Sequence, residues 1–195
     1  EQWRDRLIEE PSLLATFIES YLPYSFEGIG IGIPGLVDPK EGIVLGLANI
    51  PSFQHVELRK FLTARFGKPV YINNDANCFA LGVHKFGVGN EFQNLVGITL
   101  GTGVGGGIII HNKLYSGVNS AAGEWCGVSY LDGTFEDYCS GKFFDRVYKS
   151  RPKALAKLAQ EGDPVALQAF EEFGNHVGEL LKVILFSFAP EAIVL

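Results

Sequence analysis

Methionine is absent from all 195 residues, position 1 included. That leaves open a start inside a longer gene product. Cysteine is scarce: Cys78, Cys126 and Cys139 stand far apart, and none belongs to a C-x-x-C pair. Three isolated thiols argue against a disulfide scaffold and against a cysteine-rich zinc site. Thiols in an acidic chain are expected in a reducing cytoplasm. Long apolar runs are lacking too. The run near the end, Val183 to Pro190, falls far below the roughly 20 residues of a membrane span. Glu1 to Glu10 is charged and holds no apolar signal-peptide core. Clusters of Lys and Arg are missing, and the formal net charge is −6. This segment is therefore not expected to bind nucleic acid or a membrane.

What is present is ordinary globular material, 47% apolar and 19% charged, enough for one large or two small domains. Glu1 to Tyr21 reads as a helix, with Leu13, Leu14, Phe17, Ile18 and Tyr21 at helical spacing. Phe26 to Ile33 is a short β-rich run. Glu41-Gly42 marks a turn between extended pieces at 35–39 and 43–48. Val56 to Phe66 reads as a helix stopped by Gly67 and Pro69. A buried strand at 70–72 precedes a helix from Asp75 to Phe86, with Phe79, Ala80, Val83 and Phe86 on one face. Strands at 95–100 and 107–111 are joined by the glycine-rich stretch 101–106. Thr134 to Tyr148 reads as helical around Ser140. Asp163-Pro164 opens a long helix by capping and first-turn preference, and Pro190 closes it before a last strand. Its expected face is Phe170, Phe173, Val177, Leu181, Ile184 and Phe188. Strands, crossover helices and a glycine hairpin predict an α/β fold.

Two stretches match G-x-G-x-x-G: Gly30, Gly32, Gly35 and Gly101, Gly103, Gly106. A dinucleotide site needs strand, glycines, then helix, and both stretches run into extended chain instead. The second has two other readings. Glycines between strands let successive N–H groups turn inward as an anion nest, with Thr102 adding a hydroxyl. The alternative is a tight hairpin with no ligand. Five glycines in 101–107 exceed what a plain two-residue turn needs.

Asn73-Asn74-Asp75-Ala76-Asn77 stands at the end of the short strand. Capping explains one of these side chains. Strand ends are where α/β folds gather their sites, and a carboxylate there could take a proton from a substrate hydroxyl. Glu124 and Glu136 are the other candidate acids; Glu136 also suits a helix's first turn as a dipole partner. His55, His84, His111 and His176 share no spacing that suggests a metal.

The order of motifs resembles the ROK family (repressor, open reading frame, kinase). It runs Gly30-Ile-Gly-Ile-Pro-Gly-Leu-Val-Asp38, Leu47-Ala-Asn49-Ile-Pro, Ile72-Asn-Asn-Asp-Ala-Asn77, Leu100-Gly-Thr-Gly-Val-Gly-Gly106, Ala122-Gly-Glu124 and Glu136-Asp-Tyr-Cys-Ser140. The resemblance implies an actin-like (ribonuclease H-like) two-lobed α/β fold, here incomplete at both ends. It implies 1–74 as part of the N-terminal lobe and 75–195 as most of the C-terminal lobe. It implies Asp75 as general base, and Asn49, Asn74, Glu124 and Glu136 as sugar-binding residues. Gly101, Thr102 and Gly103 would lie near the ATP phosphates, with Mg2+ arriving alongside the nucleotide. A homodimer is expected.

Three departures from the family pattern stand out. The opening Asp-x-Gly-Gly-Thr strand is absent, as is the Gly-Gly loop that receives adenosine after the last strand. The zinc module is missing as well: Gly127 stands where the family's histidine would be, and the stretch to Glu136 is too short for its cysteines. No structural zinc is expected. The resemblance implies an ATP-dependent kinase of a hexose or N-acylhexosamine, with a sugar-sensing repressor domain as the alternative. A preceding Asp-x-Gly-Gly-Thr alone would mean kinase; a further basic helix-turn-helix would mean repressor.

Overall fold

The computed structural model describes residues 12–21, 25–47 and 53–195. The chain groups into two compact units: Glu1–Cys78 with Ser116–Ala122, and Phe79–Tyr115 with Gly123–Leu195.

In the first unit, helix α1 (Ser12–Glu19) precedes strands β1 (Ile29–Ile33), β2 (Leu36–Asp38) and β3 (Ile43–Gly46). Helix α2 (Leu58–Phe66) leads to strand β4 (Val70–Asn74), and helix α3 (Asp75–Phe86) begins directly after it. The expected helix at 1–21 is seen as α1; residues 1–11 lie outside the described residues. Strands β1 and β4 pair in parallel, from Ile29 opposite Val70 to Ile33 opposite Asn74. Strands β2 and β3 form the expected hairpin. Helix α2 starts later than expected because Val56 is used in a bridge to Val44. It ends as expected at Gly67, whose φ of 63° closes a left-handed cap on Thr63 O.

Ile33, Val37, Val44, Leu58, Leu62, Val70 and Ile72 fill the core of this unit. Full burial of Leu58 or Leu62 contributes about 1.5–3 kcal/mol each. Arg59 clamps the structure from α2: its guanidinium donates to Val70 O, Lys40 O and Pro39 O at 3.1, 2.5 and 2.6 Å. Gly42 is required above it, with φ 76° and an overlap with Arg59 for any Cβ.

In the second unit the rest of α3 precedes strands β5 (Leu95–Leu100), β6 (Val104–Ile110) and β7 (Lys113–Tyr115). The short strands β8 (Ser129–Tyr130) and β9 (Gly133–Thr134) lead to helices α4 (Phe135–Cys139), α5 (Gly141–Val147), α6 (Pro152–Gln160) and α7 (Pro164–Phe188), then strand β10 (Ala192–Val194). The sheet order is β10-β5-β6-β7, with β10 parallel to β5 and the other pairs antiparallel. Ala80 of α3 packs with Leu95 and Ile109 of this sheet.

Several expectations change here. Strand β6 begins at Val104, so Val104 to Gly106 belong to the ladder and the turn is only 101–103. The helix expected over 134–148 is two helices. Ser140 is extended (φ −129°, ψ −176°) and caps α5 by accepting Lys142 N. Helix α7 starts as expected, with Asp163 accepting Ala166 N at 2.8 Å. Its fully buried seam is Ala166, Ala169, Leu180 and Ile184, with Val177 close behind, and Phe188 is 39% exposed. Phe86, expected on an apolar face, is 92% exposed. Phe143 and Phe144 pack on Phe173 of α7, with centroids 6.0 and 4.9 Å apart. No helix among the described residues is long and apolar enough to cross a membrane.

Candidate functional site

The β4–α3 corner commits almost every polar group it carries. Asn74 is buried, donates to Gly35 O at 3.3 Å and accepts Asn77 N at 3.1 Å, so it caps α3. Asn73 Oδ1 accepts from three donors: Asn74 N at 2.9 Å, Asn77 Nδ2 at 3.4 Å and Ser120 Oγ at 3.2 Å. Asn77 is fully buried, and its Oδ1 has no partner among the described residues. Asp75 differs. It is exposed, and among the described residues only one of its oxygens is engaged, by Ala76 N at 2.9 Å. Gly32 makes the room for it, since a Cβ there would stand 3.3 Å from the Asp75 Cα. Asn49 lies outside the described residues.

In the second unit the hairpin turn is closed by Gly101 N to Gly103 O at 3.0 Å, and Gly141 N pins Gly101 O at 2.8 Å. Thr102 is exposed, and the N–H groups of Thr102 and Gly103 have no acceptor among the described residues. Glu136 lies against this turn. Its Oε2 accepts Val104 N at 3.3 Å, and a Cβ on Gly103 would overlap that oxygen. Its Oε1 pairs with Lys142 Nζ at 2.6 Å.

Glu124 is exposed and accepts from Cys126 Sγ at 3.2 Å. It is set there by Gly123, whose φ of 91° and close approach to Gly106 O exclude a side chain. Trp125 then packs across Gly106. The first unit thus brings Asn74 and Asp75 together. The second brings Gly101, Thr102, Gly103 and Glu136 together, with Glu124 and Glu136 both acting on Cys126.

Burial, then the Glu124 hydrogen bond and the two carboxylate charges push the Cys126 thiol up to about 11. Burial pushes Cys139 up to about 12, and burial with the Asp75 charge raises Cys78. At pH 8 only about one Cys126 in a thousand is then thiolate. Native protein should react with iodoacetamide far more slowly than urea-unfolded protein. One thiol labelled at the unfolded rate in native buffer would show these environments to be wrong.

Sequence reasoning passed over Ser120 and Lys142, and it named Asn73 without its partner Ser120. Ser120 is 47 positions from Asn73, and no local signal links them. Lys142 is six positions from Glu136, a spacing that points to different faces of one helix; only the break at Ser140 brings the two together.

A family model described as "ROK family" matches residues 8–195. The chain is 43% identical over 197 residues to a glucokinase of Thermotoga maritima, covering 86% of this chain and 62% of that protein. It is 33% identical over 189 residues to a xylose repressor of Bacillus spizizenii, covering 89% and 48%. Among solved structures, a ROK family glucokinase from Streptomyces griseus, in complex with glucose and AMPPNP, superposes with a TM-score of 0.82 at 30% identity. That match covers 97% of this chain and 70% of the other. The chain spans about half to three fifths of the length of these two curated relatives.

Proposed function

The chain belongs to the ROK family and has its actin-like α/β fold, and from that premise we propose that it forms the sugar- and phosphate-holding part of an ATP-dependent kinase for a hexose or N-acylhexosamine. In this reading residues 1–74 belong to the N-terminal lobe and 75–195 supply most of the C-terminal lobe. The observation that carries the reading is the open Asp75 carboxylate, in a corner where the side chains of Asn73 and Asn74 are engaged and Asn77 donates through its N–H and Nδ2. The neighbours hold the backbone of Asp75 while its free oxygen can accept a hydroxyl proton.

Asn49, Asn74, Glu124 and Glu136 are the proposed sugar partners. Buried sugar hydroxyls need such groups, because each one left unpaired costs about 1–3 kcal/mol. Glu124 suits the role best, because among the described residues its carboxylate accepts a hydrogen bond from the Cys126 thiol alone. The hairpin fits the anionic end of ATP: the Thr102 and Gly103 N–H groups have no acceptor among the described residues and Thr102 is exposed. Bound ATP with Mg2+ supplies the phosphoryl group and part of the charge neutralisation. A cytoplasmic homodimer completes the proposal.

The test uses the full-length protein with MgATP and glucose, N-acetylglucosamine, N-acetylmannosamine or xylose in an ADP-release assay. Sugar-dependent ADP release at a kcat of about 1–100 per second is expected. Similarity to a xylose repressor favours a second reading, a sugar-sensing repressor domain. Sugar binding without ADP release, together with sugar-sensitive binding to operator DNA, would decide for it.

A further inference from the structure

The hairpin assigned to the phosphates has an anion of its own against it. Glu136 Oε2 touches Val104 N–H and crowds Gly103. Phosphate oxygens brought to the Thr102 and Gly103 N–H groups would meet this carboxylate at short range, and like charges repel most strongly where water is thin. A cation fixed to the protein at this place would offset that repulsion, beside the Mg2+ that arrives with the nucleotide. Among the described residues, Lys142 is the cation paired with Glu136, at 2.6 Å.

Three contacts fix Lys142 there. Ser140 ends α4 by donating to Glu136 O at 2.6 Å and caps α5 by accepting Lys142 N at 3.2 Å. Gly141, next in the chain, donates to Gly101 O at 2.8 Å. Lys142 therefore leaves the backbone one residue from a direct hydrogen bond to the phosphate turn. Its side chain is 52% exposed, and an ammonium has three donors. One goes to Glu136, and two remain for another acceptor.

We propose that Lys142 is a nucleotide-binding residue, its ammonium bridging the Glu136 carboxylate and a phosphate oxygen of a nucleoside triphosphate held at Gly101–Gly103. The inference rests on the kinase reading above. It adds the cation that lets an acid and a phosphate chain share one hairpin. Lys142 acts here as a point charge, the usual way a lysine meets phosphate.

The experiment compares full-length wild type, Lys142→Met and Lys142→Arg by calorimetry with ADP, with ATP and with sugar alone. Lys142→Met should weaken ADP and ATP at least about tenfold, raise the KM for MgATP by a similar factor, and leave sugar affinity within about twofold. Lys142→Arg should stay within about threefold of wild type for nucleotide, because the charge is kept. Melting temperatures close to wild type are expected, since an exposed ion pair contributes little to stability. Nucleotide affinity unchanged in Lys142→Met would reduce the contact to an ordinary surface pair and overturn the proposal. An equal loss of sugar affinity would also overturn it, by showing that the lysine acts through Glu136 on the sugar. If wild type itself binds no nucleotide, the kinase reading fails first, and this inference falls with it.

Discussion

If the kinase proposal holds, Asp75→Asn should lower kcat of the full-length protein by on the order of 10²–10⁴ while folding and sugar binding are retained. The fold survives because the structural duties at the corner belong to other residues. Asn74 caps α3, and Asn73 gathers Asn74, Asn77 and Ser120. The one local contact of Asp75, Oδ1 to Ala76 N, can be made equally well by an amide oxygen. What the amide cannot do is accept the proton of a sugar hydroxyl. The measurement is ADP release at saturating sugar and MgATP, beside calorimetry for sugar alone. Near-normal turnover would remove Asp75 from the role of base. Loss of sugar binding together with turnover would make it a binding residue instead.

The second large effect is on stability. Gly106→Ala destabilises the second unit by about 3 kcal/mol, the upper end of the usual overpacking range. A Cβ at 106 would overlap the indole of Trp125 and approach the Gly123 carbonyl oxygen to 2.7 Å. Trp125 is 7% exposed and its ring meets Phe188 edge-on at 5.9 Å, so it has little room to retreat. The Gly123 backbone is held in turn by its φ of 91°. Gly101→Ala is the matched control: a Cβ there meets nothing within 4 Å. Urea unfolding of the two variants should separate them clearly, with Gly101→Ala near wild type in stability. Equal stability for both would mean that Trp125 yields to a Cβ at 106 and that close packing does not require Gly106.

That contrast shows where sequence reasoning stopped. Two of the glycines in 101–106 could be read as a turn from sequence, because a strand must reverse there. The others looked like more of the same loop. Gly105 and Gly106 are strand residues, and Gly106 is kept small because Trp125 and Gly123 come close to it from further along the chain. Composition cannot tell a glycine needed for backbone freedom from one needed for close approach.

The amino-acid sequence alone determined the α/β class, the start of α3 at Asp75, the cap at Asp163, the β5–β6 hairpin and the order of motifs. Each follows from interactions a few residues long: side-chain caps, alternation, helical spacing and turn chemistry. Tertiary structure alone decided the exposure of Phe86 and Phe188, the break at Ser140, the pairing of Glu136 with Lys142 and the hold of Ser120 on Asn73. The hold of Ser120 on Asn73 joins segments 47 positions apart, and the Glu136–Lys142 pair, six positions apart, depends on how two helices meet at Ser140. Burial and hydrogen-bond partners are properties of the packed chain, and a one-dimensional pattern carries no record of them.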